Sequence, residues 1–225
     1  MGKKKHVAYV STYTMGDEHG IKIYDVDMKN GRLKEKGEVL ISNSSYVTIS
    51  HNGKNLYSIT DFGVESFAIL KDGTLETINK ASINGMRGCY LSTDYEDKYL
   101  FCAGYHDGKI TVLKLDQETG AVGTITDEVY HKGLGSIAER SFRPHISCVK
   151  MTRDNKYLCA ASFGYSPLIG RQNLLVNLPS SESISNNDTL FSPAFEATIY
   201  LPSSEIIKAL AATPCASTIS VVEML

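Results

Sequence analysis

Six side chains in this chain are of the types that acid–base and anion-handling chemistry uses: Arg87, Tyr105, His106, Glu139, Arg143 and His145. A neutral His or a Glu carboxylate can take a proton from water near neutral pH. An Arg can grip a carboxylate or phosphate through two parallel hydrogen bonds, or stabilise a developing oxyanion. Pro144 fixes the backbone just ahead of His145. Arg143, two residues before His145, falls on the same side of an extended chain. Competing chemistries are poorly served. There is no G-x-x-x-x-G-K-[ST] phosphate loop and no visible metal cluster. The five cysteines, Cys89, Cys102, Cys148, Cys159 and Cys215, are odd in number and have no C-x-x-C spacing. They read as reduced thiols, not as a disulfide framework or a zinc site. Cys89, on a candidate strand, reads as a small core residue before it reads as a nucleophile.

The elements that must position these residues are short strands. Over residues 1–160 the apolar signal has period two, interrupted by Gly, Asn and Asp turns. The turns Asn30-Gly31, Asp72-Gly73 and Thr119-Gly120 recur at spacings of 42 and 47 residues, each between two apolar alternations. The strands before them, Ile21–Tyr24, Val64–Phe67 and Ile110–Leu113, recur at 43 and 46. A repeat of about 45 residues with four strands is the signature of a β-propeller blade. The fold class expected is therefore all-β, a β-propeller of about three and a half four-stranded blades.

With the strands of a blade labelled A to D from the inside outward, the first blade begins at B and lacks A. That predicts closure by a C-terminal segment. Strand alternation puts the B–C and D–A connections on one face. That face would gather Tyr13, His19, Arg87, Tyr105 and His106, together with the insertion Asp127–Phe142 that holds His131, Glu139 and Arg140. Arg143 and His145, at the inner end of a strand A, would point near the axis.

Past residue 161 the chain changes character. Residues 162–225 are poor in charge and glycine and rich in Ser and Pro, and no blade register continues. Ser180–Asp188 reads as loop, Glu205–Ala212 as one short helix. Ala197–Leu201 reads as a strand that could fill the missing first strand of blade one. The expected division is a propeller part at 1–161 and a loosely packed tail at 162–225.

Arg143-Pro144-His145 with Lys156–Ala160, Tyr9–Thr14 at the start and Gly104-Tyr105-His106-Asp107-Gly108 resemble the bacterial lactonases of the 6-phosphogluconolactonase type, which are seven-bladed propellers. The absence of Trp argues against the WD-repeat propellers. The resemblance spans about residues 6–161 and departs after Ser162-Phe163-Gly164-Tyr165, where the family has an Asp-Leu-Gly-type turn. Seven blades need on the order of 300 residues. A truncated or frame-shifted lactonase reading, or a divergent C-terminal segment, would account for this chain.

The resemblance implies a hydrolase of carbohydrate metabolism acting on a sugar lactone, 6-phosphogluconolactone above all, without a cofactor. His145 would be base or water-orienter and Glu139 its partner or an alternative base. Arg143 and Arg87 would bind phosphate or carboxylate, and Tyr105 and His106 would position the ring. A non-catalytic ligand-binding or interaction propeller, or an inactive fragment, are the alternatives. His145 at a strand start also fits a structural hydrogen-bonding role, and Glu139 and Arg140 a solvated surface pair. Arg87 fits channel lining or surface alike, and His6, His19 and His51 read as solvent or turn residues.

The rest of the composition is ordinary: 42% hydrophobic, 21% charged, and a net charge of −2. That speaks against disorder, a nucleic-acid partner or a membrane surface. No apolar run reaches the ~18 residues of a transmembrane helix. The N-terminus lacks a secretory signal pattern. The expected location is cytoplasmic.

Overall fold

The computed structural model describes residues 5–12, 20–131 and 144–163, and the strands 187–192, 195–200 and 219–224. The expected Glu205–Ala212 helix and most of the Ser180–Asp188 loop lie outside them. The described residues form four antiparallel four-stranded sheets and no helix. The second sheet is a simple meander of β4 (Val47–Ile49), β5 (Asn55–Thr60), β6 (Gly63–Ile69) and β7 (Leu75–Ala81). The third repeats it with β8 (Tyr90–Thr93), β9 (Tyr99–Gly104), β10 (Lys109–Leu115) and β11 (Val122–Tyr130). The 42–47 residue period is thus one sheet per repeat, as the turn spacing predicts.

The first sheet holds β1 (Lys5–Ser11), β2 (Ile21–Asp27) and β3 (Arg32–Val39). Its missing inner strand is β16 (Ile219–Met224), which pairs antiparallel with β1, Val7 opposite Val222. Closure by a C-terminal segment therefore occurs, but not through Ala197–Leu201. That stretch belongs to β15 (Phe195–Tyr200) in the fourth sheet, whose order is β12 (His145–Met151), β13 (Leu158–Phe163), β15, β14 (Asn187–Ser192). There the chain passes from the second strand to the outermost and returns to the third. The tail thus completes a sheet expected to stop at its second strand, in an order the other sheets do not use.

Successive sheets stack face to face because both faces of their strands are apolar. Val7, Tyr9, Ile21, Leu56 and Phe67 fill the joint between the first and second sheets. Tyr57, Ile59, Leu91, Leu100 and Leu113 fill the next. Phe101, Ile110, Val112, Ile146, Val149 and Leu158 fill the last. Inner strands meet inner strands across these joints: β16 with β4, β4 with β8, β8 with β12.

The A–B turns carry a second repeat. Gly53, Asp97 and Asn155 occupy the same turn position, all at positive φ (71°, 53° and 58°). The first residue of each turn accepts an N–H from the start of the next strand: Ser50 from Asn55, Asp94 from Tyr99, Thr152 from Tyr157. The left-handed residue then reaches back to the preceding sheet. Asp97 accepts the His51 and Asn52 N–H groups at 2.8 and 2.9 Å. Asn155 accepts the Tyr95 N–H at 3.0 Å and donates to Asp94 at 3.1 Å. Gly53 has no side chain with which to do the same. His51, expected to be a solvent or turn residue, is part of this latch: its Nδ1 lies 3.0 Å from Thr93 Oγ1 and its ring packs on Tyr95 at 4.4 Å.

Candidate functional site

The opposite face of the sheets carries the B–C and D–A connections. Asn43, Arg87 and His145 each stand ten residues ahead of the left-handed turn residue of their own sheet, so they are equivalent positions in three successive blades. Asp61 and Tyr105 are likewise equivalent, each directly following the second strand of its sheet. The structure joins these positions across the blade joints in one pattern: Arg87 meets Asp61 of the sheet before it, and His145 meets Tyr105 of the sheet before it.

The His145 contact is the more informative. Its Nδ1 lies 2.6 Å from the Tyr105 carbonyl oxygen. A carbonyl only accepts, so Nδ1 carries a proton. The imidazole also stacks on the Tyr105 ring, 4.5 Å between centroids and 16° between planes. His106, exposed, meets the same Tyr105 ring edge-on at 5.5 Å. Sequence reasoning placed Tyr105, His106 and His145 together, and the structure brings them into contact.

Arg87 stands in the loop between the second and third sheets. Its Nη1 is 3.7 Å from Asp61 Oδ1, and its Nη2 donates to the Asn43 carbonyl oxygen. Asp61 is itself held by Ser42 Oγ at 2.7 Å and by Asn43 Nδ2 at 3.0 and 3.1 Å. The same loop is tied to the Tyr105 turn, because the Met86 N–H donates to Asp107 Oδ2 at 3.1 Å. Gly85 and Gly104 make room for this: a Cβ on either would lie 2.7 or 2.1 Å from an Asp107 carboxylate oxygen. Beneath the loop Lys109, 2% exposed, donates to the Ile83 and Asn84 carbonyls at 2.7 and 2.9 Å and to Glu128 at 2.7 Å.

His131 closes the far side, its N–H bonded to the Gly108 carbonyl at 2.8 Å, and burial pushes its imidazole down to about 4. Cys89 donates its thiol to the Ile146 carbonyl at 3.2 Å, a packing role. Burial raises the Cys102 thiol to about 12. Tyr13, His19, Glu139, Arg140 and Arg143 lie outside the described residues. No group of three His, Cys, Asp or Glu among the described residues could hold a metal ion.

Residues 7–167 match the family described as lactonase, 7-bladed β-propeller. The chain belongs to that family. The 6-phosphogluconolactonase of Bacillus subtilis is 32% identical over 170 residues, which is 73% of this chain and 48% of that protein. An uncharacterized protein of Staphylococcus saprophyticus is 34% identical over 72% of this chain and 48% of its own length. A crystal structure from Bacteroides fragilis, proposed to be a 6-phosphogluconolactonase, superimposes with a TM-score of 0.66 at 34% identity, covering 72% of this chain and 46% of that one. The Pseudomonas aeruginosa periplasmic gluconolactonase shares the fold, with a TM-score of 0.66 at 22% identity. The chain spans about half the length of the curated relatives it matches.

In this member of the lactonase family, sequence reasoning missed Asn43, Asp61, Asp107, Lys109 and Glu128. A signal for two of them was available: Asn43 and Asp61 stand one repeat before Arg87 and Tyr105. Lys109 carries no such signal. It sits in a strand alternation where an exposed lysine would look the same, and only three-dimensional packing covers it. Among the described residues no helix is long and apolar enough to cross a membrane.

Proposed function

We propose that this chain carries part or all of a site for hydrolysing sugar lactones. The observation that supports it most is the Tyr105 carbonyl bond to His145 Nδ1, which holds this imidazole on the face that gathers Arg87, Tyr105 and His106. His145 Nε2 takes a proton from water as the oxygen attacks the lactone carbonyl carbon. The tetrahedral intermediate collapses by breaking the ring C–O bond, and the imidazolium returns its proton to the leaving alkoxide. The product is the open-chain hydroxy acid. Tyr105 and His106 offer faces for the sugar ring, and Arg87 stands at the rim. Glu139 and Arg143 remain proposals from sequence, as acid–base partner and anion-binding group.

The name of the Bacillus relative makes 6-phosphogluconolactone the first substrate to assay. The test is turnover of δ-lactones by the purified chain, corrected for spontaneous hydrolysis, beside a size-exclusion trace. Turnover by a folded monodisperse protein, lost in His145→Ala, supports the reading. A folded protein with no turnover overturns it. A second reading, a non-catalytic interaction propeller, is favoured by the exposed Leu40, Phe62 and Met86 on this face and predicts that last outcome.

A further inference from the structure

We propose that Lys109, with Asp107 beside it, is a positioning residue of this site: it fixes the loop that carries Arg87 to the turn that holds His145. The inference rests on the lactone-hydrolase reading above and names groups that serve it without touching substrate. The turn is Gly104–Lys109. Its Tyr105 carbonyl accepts the His145 Nδ1–H at 2.6 Å. Its far end carries the loop between the second and third sheets. Lys109 Nζ donates to the Ile83 and Asn84 carbonyls at 2.7 and 2.9 Å, and Asp107 Oδ2 accepts the Met86 N–H at 3.1 Å. Gly85 lies between these contacts, and a Cβ there would come 2.7 Å from both Asp107 Oδ2 and Lys109 Nζ. Ile83 through Met86 thus rest directly on two side chains of the turn, and Arg87 is the next residue. Its guanidinium is held from the other side, by Asp61 and the Asn43 carbonyl. Arg87 and His145 therefore share one mount.

Neither the repeat nor stability asks for a lysine here. Ile21, Gly63 and Lys109 open the third strand of the first, second and third sheets, so the blade accepts an apolar side chain or none at that position. The strand β10 is otherwise buried and mostly apolar, with Ile110, Val112, Leu113 and Leu115. An ammonium in that strand must be stripped of water. Its pairing with Glu128 at 2.7 Å and with two carbonyls repays little beyond that cost. What the three partners do fix is direction. The ammonium has three N–H groups, and they go to one side chain of its own sheet and two successive carbonyls of the loop. The spacing between sheet and loop is then set by three short bonds, where an apolar side chain of the same length would let the loop slide.

The test is a double-mutant cycle against Arg87. Lys109→Met, made together with Glu128→Gln so that no carboxylate is stranded, is placed in the wild-type chain and in Arg87→Ala. The value measured is kcat/KM for D-glucono-δ-lactone or its 6-phosphate, whichever the wild type turns over faster. In the wild-type background the paired substitution should lower it about tenfold or more, the scale of misplacing a group that holds substrate. In Arg87→Ala it should cost less than about twofold, because no guanidinium is left to misplace. A merely structural loss would be equal in the two backgrounds. Equal losses, no loss in either background, or an Arg87→Ala variant as active as the wild type overturns the proposal and leaves the hydrolase reading standing. If the Lys109→Met protein does not fold, Asp107→Ala decides by the same comparison, since it releases the Met86 N–H next to Arg87. Failure of the folded wild type to turn over either lactone removes the hydrolase reading, and the proposal with it.

Discussion

The two ends of the blades are built from equivalent positions but used differently. At the A–B end, equivalent residues do one job: a polar residue opens the turn, and a left-handed Asp or Asn ties back to the preceding sheet. At the B–C end, the equivalent positions Asn43, Arg87 and His145 hold three different chemistries, and so do Asp61 and Tyr105. Repetition serves cohesion: the joints on either side of the third sheet carry the same stitch. Divergence serves recognition, because a mouth made of one residue type repeated could not distinguish one substrate group from another. The same inter-blade contact, from position 87 to 61 and from 145 to 105, is an ion pair in one joint and an imidazole–carbonyl hydrogen bond in the next.

The sharpest separation of the two ends comes from Asp97→Ala. It strips the acceptor from two backbone N–H groups and from the Thr93 hydroxyl. A loss of about 3 kcal/mol is expected, or a fall in Tm of about 6–12 °C for a chain of this size, with turnover per folded molecule unchanged. Thermal denaturation and lactone assay on one preparation check it. If turnover falls as much as stability, the two ends are not independent.

His145→Ala is the converse. It should lower kcat by about 100-fold, the usual worth of a general base, and leave Tm within about 2 °C because the ring is partly exposed. Retained turnover removes His145 from the mechanism, and a large drop in Tm assigns it to the scaffold.

Acid should then distinguish the ends. The folded-state pKa of His131 lies below its ordinary 6.5, near 4, so the unfolded chain binds the proton first. Its contribution to stability is complete above pH 6.5 and is lost as pH falls from about 6.5 to about 4, on the order of 3 kcal/mol. Denaturant unfolding across that range should be flatter in His131→Gln than in the wild type, and matching slopes would contradict the burial argument. The smallest effect belongs to Gly53→Asn. Nothing lies within 4 Å of a Cβ there, and Asn tolerates the left-handed conformation, so stability should change by under about 1 kcal/mol. A larger loss would mean that glycine is required at that turn, unlike its equivalents.

The blade repeat was legible in the sequence because strand alternation and positive-φ turns are local signals. The sharing of one face by Tyr105, His106 and His145 followed from strand direction. Their actual contact did not, since it depends on how far the inner strand of one sheet slides past the turn of another. The Asp97 and Asn155 latches read as ordinary turn residues, because an Asp that caps its own turn and one that bonds a neighbouring sheet look alike in sequence. The pairing of Arg87 with Asp61 was hidden for the same reason, although both stand one repeat before His145 and Tyr105 in the sequence. Ala197–Leu201 does not fill the first sheet: Phe195–Tyr200 joins the fourth sheet and Ile219–Met224 closes the first.

The strand that completes the first sheet has a consequence for how the chain is made. Residues 5–11 leave the ribosome about 200 residues ahead of their partner at 219–224. Until then the inner edge of β1 presents unpaired N–H and C=O groups, an open template for another chain. The local meanders of the second and third sheets can form as they are synthesised, whereas this pairing must wait for residues 219–224 and bear the closure entropy of the long loop between. The first sheet is therefore completed only after the second and third, so nascent chains stalled or cleaved short of residue 219 should self-associate through that edge.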